Sequence, residues 1–325
     1  MPRFDWIQVE ATSYCNAACI YCPHTVYQDR WANRHLSLGT FKNLLSSFAK
    51  IRLVYLQGWG EPFLHPDFFS LVAMAKGAGC QVGTTTNGML LDDGKIVRLV
   101  ESGIDVVAFS LAGVDEANDM RRRGTRLEKV LSAIETLIRV KENLGSAKPA
   151  IHIAYMLLRS GMKDLKRLPS TLKGLGVSQV VISTLDFVPH RDLAGETFLP
   201  EKAQEYEELR AQLGELAEVS QRCQLKIHYH LKESGERRLI CPENVQGALF
   251  VGAAGRVSPC VFANLPVSRA TYYVRGTERP YQRLTFGNLD ELPLPAIWRQ
   301  QAYVNFRRSF FTGKLISLCQ NCLKM

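Results

Sequence analysis

Apolar and polar positions along this 325-residue chain alternate between two periods. Short runs rich in Val, Ile, Thr and aromatic residues lie at Trp6–Thr12, Leu53–Gly58, Gln81–Gly88, Asp105–Leu111, Ala150–Leu158 and Gln179–Thr184. Such composition predicts strands. Between them the spacing of apolar residues becomes three and four, which predicts helices over Gly39–Lys50, Pro66–Gly79, Asp92–Gly103, Thr125–Gly145 and Met162–Gly176. Four of these end on glycine, the usual residue just past a helix C-terminus. A strand–helix rhythm repeated about six times predicts an α/β fold: a parallel sheet with right-handed crossovers, curved into a partial (β/α)6 TIM-like barrel. Ligands then gather at the carboxyl ends of the strands.

The rhythm breaks near Pro189. Leu199–Cys223 reads as a charged amphipathic helix, "LKIHYHL" (Leu225–Leu231) as a short strand, and Ala248–Leu265 as a hairpin around a Gly-rich turn. The expected organisation is a barrel over 1–189, a helical bridge over 190–235 and a small cysteine-bearing α+β unit over 236–325.

Composition adds bounds. At 46% hydrophobic and 22% charged residues the chain reads as globular. No apolar run has the length of a membrane span, and the N-terminus has no apolar signal region, so no membrane partner and a cytoplasmic location are expected. The formal net charge of +9 permits nucleic acid, but the basic residues are scattered. The densest run, Met120–Arg126, reads as a basic pocket or loop, and nucleic acid is not the expected partner.

Nine cysteines change the picture. In a reducing compartment, clustered cysteines bind metal or do chemistry. Seven form two groups: Cys15, Cys19 and Cys22, and Cys241, Cys260, Cys319 and Cys322. Cys80 and Cys223 read as packed thiols. Three thiolates leave a structural zinc site incomplete. They suit a cubane 4Fe–4S cluster in which the protein holds three irons and the fourth is free for a ligand.

The spacing Cys-x3-Cys-x2-Cys, with aromatic Tyr21 before its last cysteine, resembles the signature of the radical S-adenosylmethionine (radical SAM) superfamily. "GWGEP" (Gly58–Pro62) resembles that family's Gly-Gly-Glu-Pro motif, with Trp59 in register. "TTNG" (Thr85–Gly88) follows the third strand, and "FSLAG" (Phe109–Gly113) has Ala112 where relatives often have Asp. Arg122–Thr125 resembles the relatives' Arg-x-Gly-Thr. The resemblance implies S-adenosylmethionine as cofactor, reductively cleaved to a 5′-deoxyadenosyl radical that abstracts hydrogen from a substrate. It implies cluster ligation by Cys15, Cys19 and Cys22 and cofactor contacts from Tyr21, Gly58, Gly60, Glu61, Pro62, Asn87, Ser110 and Arg122. Tyr155 and Met156, or Ile182 and Ser183, are candidates to meet adenine.

The second group, with "FGNLDE" (Phe286–Glu291) and Ile297–Trp298, resembles the SPASM extension in its shorter twitch form. That implies one auxiliary 4Fe–4S cluster held by Cys241, Cys260, Cys319 and Cys322, two clusters in all, and a ferredoxin- or flavodoxin-type electron donor. Relatives oxidise a small molecule or mature a peptide or protein. With strand one starting almost at once, no N-terminal peptide-docking domain is visible, which favours a small molecule or a folded protein partner. His65, Glu10, His152, His190 and Asp186 are the candidates for a base. Competing readings are an iron–sulfur electron carrier or zinc-stabilised binding protein, and a tRNA-modifying radical enzyme.

Overall fold

A computed structural model describes residues 4–198, 203–231 and 241–324. Ten strands make one sheet: β1 Phe4–Val9, β2 Ile51–Leu56, β3 Gln81–Thr86, β4 Val106–Leu111, β5 Ala150–Leu157, β6 Val177–Thr184, β7 Lys226–Tyr229, β8 Ala248–Val251, β9 Arg256–Ser258 and β10 Gly287–Asn288. Their spatial order is β10-β9-β8-β1-β2-β3-β4-β5-β6-β7. From β8 across to β7 every pair is parallel, and β9 and β10 close the other edge antiparallel. The six expected strands are all present, within the mixed α/β sheet of a partial barrel.

Alternation along the strands decides which side chains meet the site. In β5, Ile151, Ile153, Tyr155 and Leu157 are buried, while His152, Ala154 and Met156 between them are only partly so. Successive strand side chains point to opposite faces, so the first set lies under the helices and the second faces the barrel lumen. The buried set joins Ile7, Val9, Val54, Leu56, Val82, Val107, Phe109 and Val180 in one core. Removing side chains of this kind from water contributes roughly 1.5–3 kcal/mol each.

Helices α1 Phe68–Gly77, α2 Asp93–Glu101 and α3 Leu127–Asn143 provide crossovers, and α4 Ala203–Gln221 packs beside β7. Residues 199–202 of the expected bridging helix, and the expected boundary at 235/236, lie outside the described residues. Two expected helices differ. Gly39–Lys50 divides into Leu38–Lys42 and Leu45–Phe48. Met162–Gly176 becomes a 3-10 segment over Arg159–Arg167 followed by one short helix, Leu168–Leu172. Pro169 stands in the first turn of that helix, where its fixed φ and missing N–H are tolerated, whereas they would break a longer helix running through it.

The Gly-rich hairpin forms as read, β8 against β9. Its first strand also pairs in parallel with β1, Trp6 to Ala248 through Val9 to Val251. The cysteine-bearing C-terminal segment therefore grows out of the barrel's own sheet.

Candidate functional site

The chain leaving β1 carries the first three cysteines. The Cys22 carbonyl accepts the N–H of Thr25 at 3.0 Å, which starts the short helix Pro23–Val26. Cys19 pairs with Arg122 in a two-residue antiparallel ladder, Ala18 with Arg123. That ladder brings the "RRRGT" run to the cysteines. Its three arginines have three fates. Arg121 donates to Asp164 at 2.6 Å, Arg123 is exposed, and Arg122 is 7% exposed and donates from Nη1 to the Tyr21 hydroxyl at 2.7 Å. The sequence expectation of a basic pocket or loop is thus divided: one arginine is buried at the cysteines and its neighbours are elsewhere.

"GWGEP" follows β2. A Cβ on Gly60 would stand 2.3 Å from the Thr12 carbonyl oxygen and 2.4 Å from that of Tyr14. Only glycine permits this approach, and Glu61 N–H then bonds the Tyr14 carbonyl at 2.8 Å. The Glu61 carboxylate is 2% exposed. It accepts from Thr86 Oγ1 and Asn87 N at 2.7 Å each and from Phe63 N at 3.3 Å. Two of those three donors belong to "TTNG", so Glu61 locks the loop after β2 to the loop after β3. A carboxylate has about four acceptor positions, so one remains beyond these three. Burial raises the Glu61 pKa. Asn87 in turn donates to Asn16, between the first two cysteines, at 2.8 Å. Pro62 begins a buried 3-10 turn and Ser110 sits half-buried in β4.

All these motifs stand at the carboxyl ends of strands. The thiols of Cys15 and Cys22 are raised by burial, Cys15 to about 12, and Cys22 also by Cys19 and Cys15 beside it. Binding iron would displace those protons. Around them several buried polar atoms have no hydrogen-bond partner among the described residues: Arg122 Nε, Thr25 Oγ1 and His24 Nε2. Three mutually close thiols with leftover polar atoms suit a group that is rich in sulfur and bears further acceptors. Among the described residues no three His, Cys, Asp or Glu side chains are arranged to hold one metal ion. A tetrahedral zinc site needs thiolates about 3.8 Å apart; a cubane takes one thiolate per iron and needs them wider.

The second group converges from three segments. Cys241 precedes the hairpin, Cys260 follows β9, and Cys319 and Cys322 lie near the C-terminal end. All four face one cavity with Asp186, Glu243, Phe187 and Phe262. Burial raises each thiol, Cys241 and Cys319 to about 12, and Cys260 is raised further by Glu243 and the other three cysteines. Cys80 is buried against the carbonyls of Phe48 and Ile51, and Cys223 packs at the core edge.

Between the groups lies a cavity of about 310 Å³. Tyr21, Cys22 and Pro23 line one side, Glu243, Val261, Phe262 and Lys324 the other. Asp186, Phe187, Glu243 and Phe262 line both this cavity and the one at the four cysteines. Met156 and Ser183 are in its wall; Tyr155 is not, being 1% exposed in the core. Trp59 packs edge-on to Phe262 at 5.9 Å and to Trp31 at 6.2 Å, forming an aromatic rim. Of the candidate bases, Asp186 alone is in the wall. His65 is buried with Nε2 on the Leu36 carbonyl, His190 is exposed, and Glu10 is buried behind the Trp59 backbone. Sequence reading passed over Lys324 and Glu243. Neither stands in a motif, and only convergence of distant segments marks them.

Comparison with known proteins agrees with this geometry. The model for the radical SAM superfamily matches residues 9–159, and that for the iron–sulfur cluster-binding domain SPASM matches 241–323. The chain is 28% identical, over 98% of its length and 86% of the relative's, to the tungsten-containing aldehyde ferredoxin oxidoreductase cofactor-modifying protein of Pyrococcus furiosus. It is 25% identical to the PqqA peptide cyclase of Gluconobacter oxydans, over 96% of this chain and 81% of that one. The fold matches Streptococcus suis SuiB bound to S-adenosylmethionine with a TM-score of 0.68, at 17% identity, over 99% of this chain and 72% of that one. Two matched domains and a shared fold identify the cofactors as S-adenosylmethionine and 4Fe–4S clusters, and the chain belongs to the radical SAM superfamily, in the group whose members carry a C-terminal SPASM domain.

Proposed function

We propose that this radical SAM enzyme removes hydrogen from a small molecule, or from one residue of a peptide or protein, held in the cavity between its two cysteine groups, in an oxidation or maturation reaction. The observation that carries this reading is the shared wall: Cys22 lines the cavity on one side, and Glu243 and Phe262 on the other also face the four-cysteine group.

When bound, the cluster and S-adenosylmethionine together supply a 5′-deoxyadenosyl radical. Cys15, Cys19 and Cys22 would hold three irons of that cluster. Gly60 lets its loop pack on the Thr12 and Tyr14 carbonyls and Gly58 lies against the Glu10 side chain, which places Glu61; Glu61, fixed by Thr86 and Asn87, keeps one acceptor position for an ammonium. Arg122, fixed by Tyr21, is the cation for a carboxylate. Ser110 and Met156 complete the cofactor's surroundings. Cys241, Cys260, Cys319 and Cys322 would hold one auxiliary 4Fe–4S cluster with no open iron, suited to electron transfer rather than to substrate chelation. Asp186 is the acceptor for a proton released by an oxidised substrate. The rim of Trp59, Phe262 and Phe187 excludes water. A ferredoxin- or flavodoxin-type donor supplies electrons in the cytoplasm.

The relatives act on different partners: one is a PqqA peptide cyclase and another modifies an oxidoreductase cofactor. Anaerobic reconstitution tests the assignment. About eight irons per chain are expected for two cubanes, and 5′-deoxyadenosine should form with dithionite and S-adenosylmethionine. The Cys22→Ala chain should make none; continued formation would overturn the ligand assignment.

A further inference from the structure

Lys324 belongs to no motif, yet among the described residues it is the one lysine or arginine in the cavity wall. Its Nζ donates to Glu243 Oε1 at 2.5 Å and lies 3.5 Å from Asp186 Oδ2. The three side chains are 18%, 15% and 10% exposed, respectively. Asp186 also accepts from Thr184 Oγ1 at 2.9 Å. The same ammonium stands 5.2 Å from the centre of the Phe262 ring.

These partners come from three places. Asp186 follows β6 of the barrel, Glu243 is two residues past Cys241, and Lys324 is two residues past Cys322. Phe262 is two residues past Cys260. One ammonium, itself two residues past Cys322, therefore meets the neighbours of two more cysteines and also the barrel. Asp186 and Glu243 stand between the cavity and those cysteines. A fixed charge in a partly dry site acts strongly on a nearby redox centre, because each added electron is stabilised by a cation and opposed by an anion.

We propose that Lys324 is a positioning residue that sets the reduction potential of the auxiliary cluster: its buried ammonium raises the potential, and Asp186 and Glu243 fix its place and offset part of its charge. This rests on the reading that Cys241, Cys260, Cys319 and Cys322 hold a 4Fe–4S cluster.

The test is an EPR-monitored redox titration of the full chain, reconstituted anaerobically, at one fixed pH. Cys15, Cys19 and Cys22 are replaced together by Ala so that only the auxiliary signal remains. Lys324→Met should move the midpoint to a more negative value, Asp186→Asn should move it to a more positive one, and Lys324→Arg should restore the parent value. Unchanged midpoints in Lys324→Met and Asp186→Asn, with iron content and signal intact, would overturn the proposal. Absence of any cluster signal in the parent protein would instead refute the four-cysteine reading. Should Lys324→Met lose its cluster on folding, Lys324→Gln, which removes the charge and keeps a polar end, is titrated in its place and should move the midpoint the same way.

Discussion

The Glu10 carboxylate accepts the backbone N–H of Ala253 at 3.0 Å, joining the end of β1 to the turn between β8 and β9. Its other oxygen accepts the Trp59 N–H at 2.8 Å. One side chain thus holds the first strand, the "GWGEP" loop and the C-terminal hairpin together. Glu10 is 2% exposed, and burial raises its pKa to about 7 against the two hydrogen bonds that favour the charge. The folded chain then holds a proton there between pH 4.5 and 7 that the unfolded chain has lost. Stability from this group is full below the unfolded value and declines as pH rises through 7, by about 3 kcal/mol in all. Thermal unfolding at pH 5 and pH 8 should show this fall in the wild type, and Glu10→Gln should flatten it. An equal slope in both proteins would refute the assignment.

Gly60→Ala places a methyl group 2.3 Å from the Thr12 carbonyl oxygen, and a strand-end backbone has little room to give. Overpacking of this kind costs about 1–3 kcal/mol. The melting temperature should fall by several degrees and S-adenosylmethionine binding, followed by equilibrium dialysis, should be lost. Binding at wild-type affinity would show that the loop can shift without consequence.

Glu61→Gln keeps shape but turns an acceptor into a donor. Its amide nitrogen must then face either Thr86 Oγ1 or the Asn87 N–H. Leaving a buried donor unmatched costs about 1–3 kcal/mol, so cofactor affinity should weaken roughly tenfold or more, since each 1.4 kcal/mol is about a factor of ten. Titration of the reconstituted protein with S-adenosylmethionine reads this directly.

Trp59 stands between the two glycines of "GWGEP", and its ring packs on Trp31 and Phe262 at the cavity rim. Trp59→Gly should leave cluster loading intact and open the cavity to water. The expected result is 5′-deoxyadenosine formation that continues while substrate turnover per cleavage drops at least several-fold. Unchanged coupling would remove Trp59 from the substrate wall.

Read along the chain alone, the six barrel strands, both cysteine groups and the cofactor motifs were legible, because each is a local matter: a period of two or four, a spacing of thiols, a glycine-bearing turn. The same local signals misled where a proline interrupted a helical period, at Pro169. They were also silent on roles set by distant partners. "RRRGT" reads as one basic run, yet the Cys19–Arg122 ladder buries one arginine beside the cysteines while Asp164 takes another. Glu61 reads as a cofactor acceptor, and folding spends most of its acceptor capacity on the next loop. Pairing of β8 with β1, which makes the C-terminal segment an extension of the barrel sheet, joins residues more than 240 positions apart. The place of Asp186, alone among the candidate bases, in the cavity wall is likewise set by distant partners, because that wall is assembled from strand ends that sequence proximity does not bring together. Thiol spacing and strand order are encoded one segment at a time; burial, charge pairing and the shared cavity exist only once those segments pack.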